Sequence, residues 1–440
     1  MTQLNSTHNP AAQSWLASAN GHPDFPIQNL PYAVFSERGK TAFWRGGVAI
    51  GDQVLDLAAL HGKKLLTGHA AAALEMAAMS RLNAFMASGP ESWRVLRHAL
   101  FALLGRGTDQ LNQAAVQACL IPQANAVYTV PTQIGNYTDF YTSIHHARNV
   151  GRIARPDNPL TPNFQWLPIA YHGRASSMVV SGTPFRRPMG QALQAGGATP
   201  VYGPCTRLDF ELELGAFIGP GNALGEPIPL GEAEDHIFGI CLLNDWSARD
   251  IQFWEMAPLG PFLGKSFCTS ISPWIVTMEA LAPFRLPFTR AADEPQPLAY
   301  LDDAGNRAQG VIDIQLEVFI ESAQARLAGR APSKISATSF EHQYWTYAQM
   351  VTQHAMGGCN LQPGDLLGSG TISGPTPDQA GAIIELTQGG KAPITLDGGE
   401  TRAFLHDGDA VILRGWCQKP GAARIGFGDN RGEVLPALKP

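Results

Sequence analysis

A seven-residue segment, residues 208–214 (LDFELEL), alternates apolar and acidic side chains without a break. Successive side chains of a β-strand point to opposite faces, so the pattern predicts a strand with one apolar face and one acidic face. On the acidic face, the Cα atoms of Glu211 and Glu213 would lie about 6.5–7 Å apart, with Asp209 next in line. Both glutamates can then reach one hard cation. An antiparallel strand with a solvated acidic face is the alternative that this segment alone leaves open.

The N-terminal part of the chain predicts a small β domain with helices. Residues 1–30 are polar and rich in proline, as in an arm that precedes the first core. Between residues 32 and 57, short apolar runs alternate with glycine and charged turns, which is typical of closely spaced hairpins. Helices are predicted over residues 70–86 and 91–104, the second from apolar residues at helical spacing. We therefore expect an N-terminal domain over residues 1–130.

From residue 131 onward the composition shifts to glycine, proline and β-branched residues. Many short runs alternate apolar and polar residues, and few helices are predicted. Such a pattern predicts a large mixed β-roll or sandwich over residues 131–440, so that the fold class is mainly β. One helix is predicted over residues 339–354 and a surface loop over residues 191–198. The clearest strands cover residues 311–320, 411–413 and 424–427.

Composition and charge argue against several classes of protein. A formal net charge of −6 and the lack of a basic run argue against binding to nucleic acid. No stretch approaches the ~18 uninterrupted apolar residues of a membrane-spanning helix, and no secretory signal is visible. Six scattered cysteines without paired spacing predict reduced thiols. We therefore expect a soluble, cytoplasmic protein, and charged residues at only 15% favour a chain that hides surface in an oligomer.

Four segments place oxygen-bearing and titratable side chains among apolar or glycine-rich residues: 137–146, 171–174, 208–214 and 244–250. In the last of them Asp245 lies at the end of an apolar strand, where a buried carboxylate needs a partner. The segments offer four carboxylates without Cys or His at metal-ligand spacing, namely Asp139, Glu211, Glu213 and Asp245. An oxygen-only donor set predicts a Mg²⁺ or Ca²⁺ site and not a zinc site.

Other candidate motifs carry less chemistry. Residues 260–266 (GPFLGKS) end like a phosphate-binding loop, but only three residues separate the two glycines where that loop has four. A nucleotide site is therefore not predicted. The adjacent Arg249 and Asp250 are expected to form a structural ion pair, and His145, beside His146, is expected to have no role in chemistry.

Eight motifs follow one another along the chain: residues 136–141 (NYTDFY), 171–177 (YHGRASS), 180–184 (VSGTP), 211–213 (ELE), 244–252 (NDWSARDIQ), 261–267 (PFLGKSF), 370–374 (GTISG) and 424–428 (RIGFG). In this order, and over nearly the whole chain, they resemble the fumarylacetoacetase (fumarylacetoacetate hydrolase) family. The resemblance implies a small SH3-like N-terminal domain, a large C-terminal β-roll and a homodimer. It also implies metal-dependent hydrolysis of the carbon–carbon bond of 4-fumarylacetoacetate to fumarate and acetoacetate, the last step of tyrosine and phenylalanine catabolism.

The same resemblance implies roles for individual residues. A divalent cation, Mg²⁺ or Ca²⁺, would be held by Asp139, Glu211, Glu213 and Asp245, with Lys265 and Thr269 completing its surroundings. His146 matches the general base, and Glu385 matches the acid that orients it. On chemical grounds, Lys265 and Gln252 could donate hydrogen bonds to the departing enolate, and Arg155 could pair with the terminal carboxylate of the substrate. Substrate contacts are implied for Tyr141, Arg155, Tyr171, Gln252 and Thr371.

One position departs from the family pattern, because Met256 stands where a substrate-contacting tyrosine is usual. A lost phenol hydroxyl removes one hydrogen bond, worth about 0.5–1.5 kcal/mol, which bears on affinity or substrate range more than on the chemistry. Two alternatives are weighed against this function. One is another enzyme of the superfamily that hydrolyses acylpyruvates, or that decarboxylates or hydrates a 2-oxo acid. The other is a non-catalytic, metal-stabilised scaffold.

Overall fold

The computed structural model describes residues 4–40, 42–194 and 196–438. The N-terminal elements are β1 (Tyr32–Glu37), β2 (Arg45–Ile50), β3 (Gln53–Asp56), α1 (Leu57–Gly62), α2 (Gly68–Ala77), α3 (Asn83–Ala87), α4 (Gly89–Leu104), α5 (Gln110–Gln117), β4 (Leu120–Pro122) and β5 (Ala126–Thr129). The five strands form one antiparallel sheet in the order β4-β3-β2-β1-β5. The closely spaced hairpins predicted over residues 32–57 are confirmed by β1, β2 and β3.

Two helices were predicted in this part, with different outcomes. The helix predicted over residues 91–104 is confirmed as α4, which buries its apolar stripe and has a proline in its first turn, where no N–H is needed. The single helix predicted over residues 70–86 is wrong, because α2 and α3 are separate. Between them, the Leu82 N–H donates to the Pro131 carbonyl at 2.9 Å instead of continuing a helical ladder.

The C-terminal strands are β6 (Tyr137–Tyr141), β7 (Ile169–Gly173), β8 (Met178–Val180), β9 (Phe185–Arg186), β10 (Met189–Leu193), β11 (Pro200–Pro204), β12 (Leu208–Asp209), β13 (Leu212–Ile218), β14 (Ile237–Asp245), β15 (Ser247–Ala248), β16 (Thr269–Ile271), β17 (Val276–Thr277), β18 (Arg285–Leu286), β19 (Val311–Ile312), β20 (Gln315–Glu321), β21 (Ser333–Ser339), β22 (Leu366–Gly368), β23 (Ile394–Thr395), β24 (Thr401–Arg402), β25 (Ala410–Cys417) and β26 (Ile425–Leu435). The helices are α6 (Ile144–Ala154), α7 (Arg249–Glu255), α8 (Leu263–Ser266), α9 (Ala304–Gln309), α10 (Ala323–Leu327), α11 (Tyr347–Ala355) and α12 (Ile383–Leu386).

Two large sheets organise the C-terminal part. The first is an eight-stranded mixed sheet in the order β7-β6-β22-β13-β14-β16-β8, with β17 also paired to β14. In it, β22 runs parallel to β6, and β16 runs parallel to β8. The second is a five-stranded sheet in the order β21-β20-β25-β26-β9. With the N-terminal sheet, these confirm a mainly β fold with a small N-terminal β unit and a large mixed C-terminal one.

The central strands of the eight-stranded sheet are buried on both faces. Along β14, Ile240 and Leu242 belong to the C-terminal core, whereas Phe238, Cys241 and Leu243 pack into the core formed by the N-terminal helices. Every residue of β13 and β14 is buried. The N-terminal and C-terminal parts therefore share a core, and the domain boundary at residue 130 stays a prediction.

Three C-terminal expectations need correction. The strand predicted over residues 208–214 is divided into β12 and β13, because Glu211 forms an isolated bridge with Ala382 and its N–H donates to the Asn244 side chain. The helix predicted over residues 339–354 begins only at Tyr347, because β21 continues to Ser339 and Thr346 caps the helix, its hydroxyl accepting from the Gln349 N–H at 3.2 Å. Of the loop predicted over residues 191–198, residues 191–193 lie in β10, and residue 195 lies outside the described residues.

The remaining strand predictions are confirmed in most of their length. Within 311–320, β20 alternates buried and half-buried residues, as the sequence pattern indicates, while β19 is separate. Residues 411–413 lie in β25, and residues 425–427 lie in β26. All six cysteines are free thiols, and only Cys359 among them is exposed. Across the described ranges, no helix combines the length and apolar character needed to cross a membrane.

Candidate active site

Four buried carboxylates meet at one end of the eight-stranded sheet. Each offers an oxygen atom, and these four oxygens all lie within 4.8 Å of one another. We call this set the acidic cluster: Asp139 on β6, Glu211 between β12 and β13, Glu213 on β13 and Asp245 at the end of β14. The solvated acidic face that the sequence left open is therefore wrong, because these side chains are buried. The predicted convergence of Glu211 and Glu213 is confirmed.

Sheet order explains why residues so distant in sequence converge. Strand β22 lies between β6 and β13, with Gly368 opposite Asp139 on one side and opposite Gly215 on the other. A side chain at position 368 would intrude on the cluster, since a Cβ atom there would lie 2.6 Å from Asp139 Oδ1 and 3.0 Å from Glu213 Oε2. Glycine at this position leaves room for both carboxylates.

Two buried cations contact the acidic cluster. The Lys265 ammonium donates to Glu211 and, at 2.6 Å, to Asp245 Oδ2. The Arg249 guanidinium lies 2.8 Å from Asp209 Oδ2 and 2.8 Å from Glu211 Oε1. Five buried carboxylates, Asp209 included, thus face two buried cations. Positive charge is in deficit at this site, and buried charge without a partner is costly.

The deficit is visible in the pKa values of the carboxyl groups. Burial raises the pKa of Asp139 well above its ordinary value, and the nearby Asp245 raises it further. The pKa of Glu213 is likewise raised, first by burial and then by Asp139. Burial alone would raise the pKa of Glu211 too, but Lys265 and Arg249 outweigh it and lower that pKa to about 2. Two of the four carboxyls therefore need additional positive charge to ionise.

Two oxygens of the cluster show where a cation fits. Within the described residues, Asp139 Oδ1 and Glu213 Oε1 are buried without a hydrogen-bond partner. Hard divalent cations prefer oxygen donors of this kind. The Tyr171 hydroxyl and the Thr269 hydroxyl donate to the two oxygens of Asp245, at 2.9 and 3.0 Å. The donor set therefore suits Mg²⁺ or Ca²⁺.

A histidine–carboxylate pair lies beside the cluster. His146 on α6 is buried, and its Nδ1 lies 2.6 Å from Glu385 Oε1 on α12. Two more side chains hold Glu385: Asn149 Nδ2 donates to Oε2 at 2.8 Å, and Ser373 Oγ lies 2.9 Å from Oε1. Burial raises the pKa of Glu385, but His146 and the hydrogen-bond donors outweigh it and lower the pKa. Glu385 is therefore ionised at neutral pH.

A cavity of about 460 Å³, the active-site cavity, brings most of the predicted residues together. It is lined by three members of the acidic cluster, by His146 and Lys265, and by every residue predicted to contact substrate: Tyr141, Arg155, Tyr171, Gln252, Met256 and Thr371. Three predicted residues do not line it. Asp245 and Glu385 lie behind the wall and bond to Lys265 and His146, which do line it, and Thr269 in turn donates to Asp245.

Arg249 was assigned the wrong partner from the sequence. The predicted ion pair with Asp250 does not form, because Asp250 instead accepts hydrogen bonds from Thr206 and Cys205. Adjacent residues at the start of α7 point about 100° apart, so they face different neighbours. Arg249 lines the active-site cavity, and in the described part of the chain its Nη2 is buried without a partner.

Asn149 and Ser373 are also absent from the sequence prediction. A signal for Asn149 existed, because residues three apart on a helix share a face and Asn149 follows His146 by three. For Ser373 there was none, since it reaches Glu385 only through the fold. A buried oxygen cluster suited to a divalent cation and an oriented histidine open on one cavity, and together they are the features of a hydrolytic enzyme.

Comparison with known proteins agrees with this class. The family model described as fumarylacetoacetate (FAA) hydrolase C-terminal matches residues 136–434, and the model described as fumarylacetoacetase N-terminal matches residues 28–131. The fumarylacetoacetase of Homo sapiens is 50% identical over 421 residues, which cover 95% of this chain and 97% of the human protein. That of Oryza sativa subsp. japonica is 46% identical over 419 residues, covering 94% and 95%. The chain belongs to the fumarylacetoacetate hydrolase family.

A solved structure extends the comparison of folds. The fumarylacetoacetate hydrolase from Exiguobacterium antarcticum superposes with a TM-score of 0.51 at 16% sequence identity, covering 92% of this chain and 99% of that one. At this identity the likeness concerns the fold alone. It agrees with the mainly β architecture described above.

Proposed function

We propose that this chain hydrolyses the carbon–carbon bond of 4-fumarylacetoacetate to fumarate and acetoacetate, the last step of tyrosine and phenylalanine catabolism. Relatives named fumarylacetoacetase, 46–50% identical over nearly their whole length, support the substrate. The observation that carries the proposal is the opening of the acidic cluster and His146 on one cavity of about 460 Å³. Water, a base and a polarised β-diketone can meet in such a cavity.

The acidic cluster would hold a divalent cation, Mg²⁺ or Ca²⁺, with Lys265 and Thr269 completing its surroundings. Bound there, the cation would polarise a substrate carbonyl and stabilise enolate charge. Thr269 and Tyr171 donate to Asp245 and so fix its orientation. Such supporting donors hold the ligands of a metal site in place.

His146 acts as the general base. Its Nδ1 is committed to Glu385 at 2.6 Å, so Nε2 is the nitrogen free to take a proton. Glu385 is ionised, fixes this tautomer and stabilises the imidazolium that forms. The water oxygen bonds to the fumaryl carbonyl carbon while its proton passes to His146. The bond from that carbon to the neighbouring methylene then breaks, and its electron pair leaves on acetoacetate as an enolate, which takes up a proton.

Three donors serve the developing negative charge. Lys265, Gln252 and Arg249 all line the active-site cavity. Arg249 is held by Asp209 and Glu211, and its Nη1 donates to Gln252 Oε1 at 3.2 Å, which orients the Gln252 amide. Donors fixed before the reaction stabilise charge without reorganising.

Substrate contacts come from other residues that line the cavity. Arg155 is exposed there, and its guanidinium is suited to a terminal carboxylate of the substrate. Tyr141, Tyr171 and Thr371 offer hydroxyl groups, while Met256 offers only an apolar surface. Met256 therefore shapes affinity and substrate range, not the chemical step.

The test is hydrolysis of fumarylacetoacetate by the purified protein, first after chelation and then with Mg²⁺ or Ca²⁺ restored. We expect release of fumarate and acetoacetate only with metal. Cleavage of an acylpyruvate without cleavage of fumarylacetoacetate would assign the protein to the acylpyruvate alternative. Absence of turnover on both substrates, with metal bound, would favour the scaffold alternative.

The base is tested separately. His146→Ala should lower kcat by about 10²–10⁴, the usual contribution of a general base, with metal still bound. His61→Ala, an exposed histidine on α1, is the matched control and should leave kcat unchanged. Near-normal turnover in His146→Ala would remove the assignment.

We also propose a cytoplasmic homodimer. Free and mostly buried cysteines support a reducing compartment. Exposed apolar side chains on segment 254–263 support a covered surface: Trp254 is 41% exposed, Phe262 68% and Leu259 97%. Light scattering after gel filtration should give twice the chain mass of 47.2 kDa. A single species at the chain mass would contradict the dimer.

A further inference from the structure

Helix α6 separates the active-site cavity from a second, larger one. His146, Val150 and Ala154, which recur every four residues along one face of α6, line the active-site cavity. Arg148 and Arg152 on another face line a cavity of about 830 Å³, which we call the α6 cleft. The loop on the far side of the cleft supplies Lys391 and Gln388. One helix thus carries the proposed base on one side and two arginines on the other.

The α6 cleft is rich in unpaired positive charge. Arg148, Arg152 and Lys391 make no ion pair with any carboxylate in residues 4–40, 42–194 and 196–438. Glu385, which also lines the cleft, is already bonded to His146, Asn149 and Ser373. Two arginines four residues apart repel each other and weaken a helix. Three unpaired cations around one concave space form a site suited to an anion.

A chain of side-chain hydrogen bonds joins the cleft to the base. Arg152 Nη1 donates to Asn149 Oδ1 at 3.4 Å, and Asn149 Nδ2 donates to Glu385 Oε2 at 2.8 Å. Glu385 in turn holds His146 Nδ1 at 2.6 Å. An anion that draws Arg152 toward itself removes a partner of Asn149. Asn149 then holds Glu385, and through it His146, less firmly.

We propose that the α6 cleft binds a small dianion, a dicarboxylate or phosphate, through Arg148, Arg152 and Lys391, and that its occupancy lowers turnover through Asn149 and Glu385. The guanidinium forks of the two arginines match the paired oxygens of both ligand types. The proposal rests on the proposed function for its link to turnover, since fumarate, one of the products, is a dicarboxylate. Binding itself does not depend on that function.

Binding is measured by calorimetric titration of the metal-loaded protein with inorganic phosphate and, separately, with fumarate, at constant ionic strength in chloride. We expect one saturable site, weakened at least tenfold in Arg148→Gln/Arg152→Gln. Lys391→Gln should weaken it severalfold. The matched control is Lys63→Gln/Lys64→Gln, which removes two exposed cations that do not line the cleft and should leave affinity unchanged. Saturation by phosphate but not fumarate would identify the ligand as a phosphate, and the reverse would identify it as a dicarboxylate.

A second variant separates the cleft from the active-site cavity. Arg155→Gln removes a cation from the rim of the active-site cavity, so binding in the α6 cleft should survive it. Loss of affinity in Arg155→Gln with normal affinity in Arg148→Gln/Arg152→Gln would overturn the proposal. So would equal weakening in the lysine control, because that result marks general screening of charge.

Kinetics test the link to turnover. Saturating phosphate should lower kcat at least twofold in the unaltered chain and leave kcat unchanged in Arg148→Gln/Arg152→Gln. A rise in KM alone would place the anion in the active-site cavity and overturn the coupling. Were the proposed function wrong, no turnover would be seen in any variant while the cleft still bound its anion, so the two failures are distinguishable.

Discussion

At position 368, the backbone of β22 passes between two carboxylates of the acidic cluster. This position illustrates how a residue without a side chain can determine whether a site has room for its other side chains. Asp139 and Glu213 each offer an oxygen atom to the acidic cluster, yet the room for them depends on residue 368 having only a hydrogen atom in place of a side chain. Its role is steric, because the backbone at Gly368 is not among the positive-φ glycines.

Gly368→Ala should therefore damage the metal site. The added Cβ would lie 2.6 Å from Asp139 Oδ1 and 3.0 Å from the Tyr137 hydroxyl, so the ligands must shift. We expect metal affinity to fall by about 10–100-fold, the usual effect of disturbing the support of a metal site. Calorimetric titration with Mg²⁺ or Ca²⁺ measures it. Gly203→Ala on β11, where a Cβ meets nothing within 4 Å, is the control. Equal affinities in both variants would contradict the steric role.

His8 is a second residue whose surroundings matter, because they set its pKa and through it the pH dependence of stability. Its Nδ1 accepts from the Asn5 N–H at 2.9 Å, and its Nε2 lies 2.8 Å from the Glu279 carbonyl, so the neutral ring is donor at Nε2 and acceptor at Nδ1. Protonation of Nδ1 would break the Asn5 contact. Burial, and to a lesser degree Arg97, lower the pKa of His8. The N-terminal arm is therefore anchored by the neutral form.

The pH dependence follows from that direction. Because the folded-state pKa lies below the unfolded value of 6.5, the unfolded chain binds more protons below about pH 6.5, and stability falls as the pH falls. Melting temperatures measured from pH 7.5 to 5.5 should decline, and less steeply in His8→Gln, which does not titrate. Identical slopes for both proteins would show that His8 does not contribute.

At the scale of elements, α6 matters most because it carries His146. Ser143 caps the helix: its Oγ accepts from the His146 N–H at 3.2 Å and donates to the Ser373 carbonyl at 3.0 Å. The same hydroxyl thus joins the start of α6 to the segment that supports Glu385. The orientation of His146, the proposed base, and the beginning of the helix are set together.

Ser143→Ala should cost about 0.5–2 kcal/mol of stability, as N-cap losses do. It should also lower kcat severalfold, because His146 lies in the first turn. Asp303→Ala is the matched control, since Asp303 caps α9 and does not line the active-site cavity. Urea denaturation and steady-state kinetics on both variants give the answer. A fall in kcat in the α9 variant as large as that in Ser143→Ala would refute the link between cap and base.

Elements also show how far the sequence could predict the structure. Helix α4 and strand β20 were predictable because their apolar spacing records which face is buried. The break within residues 208–214 was not, since it is imposed by Ala382, far along the chain. At the site, spacing and family motifs identified the carboxylates and His146. Arg249 was mispaired because its partner Asp209 lies 40 residues away and local patterns do not encode such contacts.

At the scale of the whole molecule, an aromatic cluster around Phe238 is one of the contacts that join the two parts of the chain. Phe238 on β14 lies with ring centroids 5.7 Å from Tyr32, 5.5 Å from Phe85 and 5.2 Å from Trp93, all from the N-terminal part. The same strand ends at Asp245 of the acidic cluster. We therefore expect the stability of the N-terminal part and the order of the acidic cluster to be coupled through β14.

Phe238→Ala should destabilise the molecule by about 3–5 kcal/mol, as deletion of a buried aromatic ring does. Because the core is shared, we expect one unfolding transition in urea, shifted as a whole, when fluorescence and circular dichroism are both followed. Two separate transitions, with only one displaced, would show that the parts unfold independently.

The pairing of His146 with Glu385 has a consequence for the folding of the chain during its synthesis. The two residues are 239 positions apart, and β6 pairs with β22 over a similar distance. A ribosome adding about 5–20 residues per second needs roughly 12–48 s to span that interval. During that time the nascent chain contains His146 without Glu385, and β6 without its partner strand β22. The site is therefore among the last features to be completed during synthesis. A chain cut short before residue 385 has no assembled site.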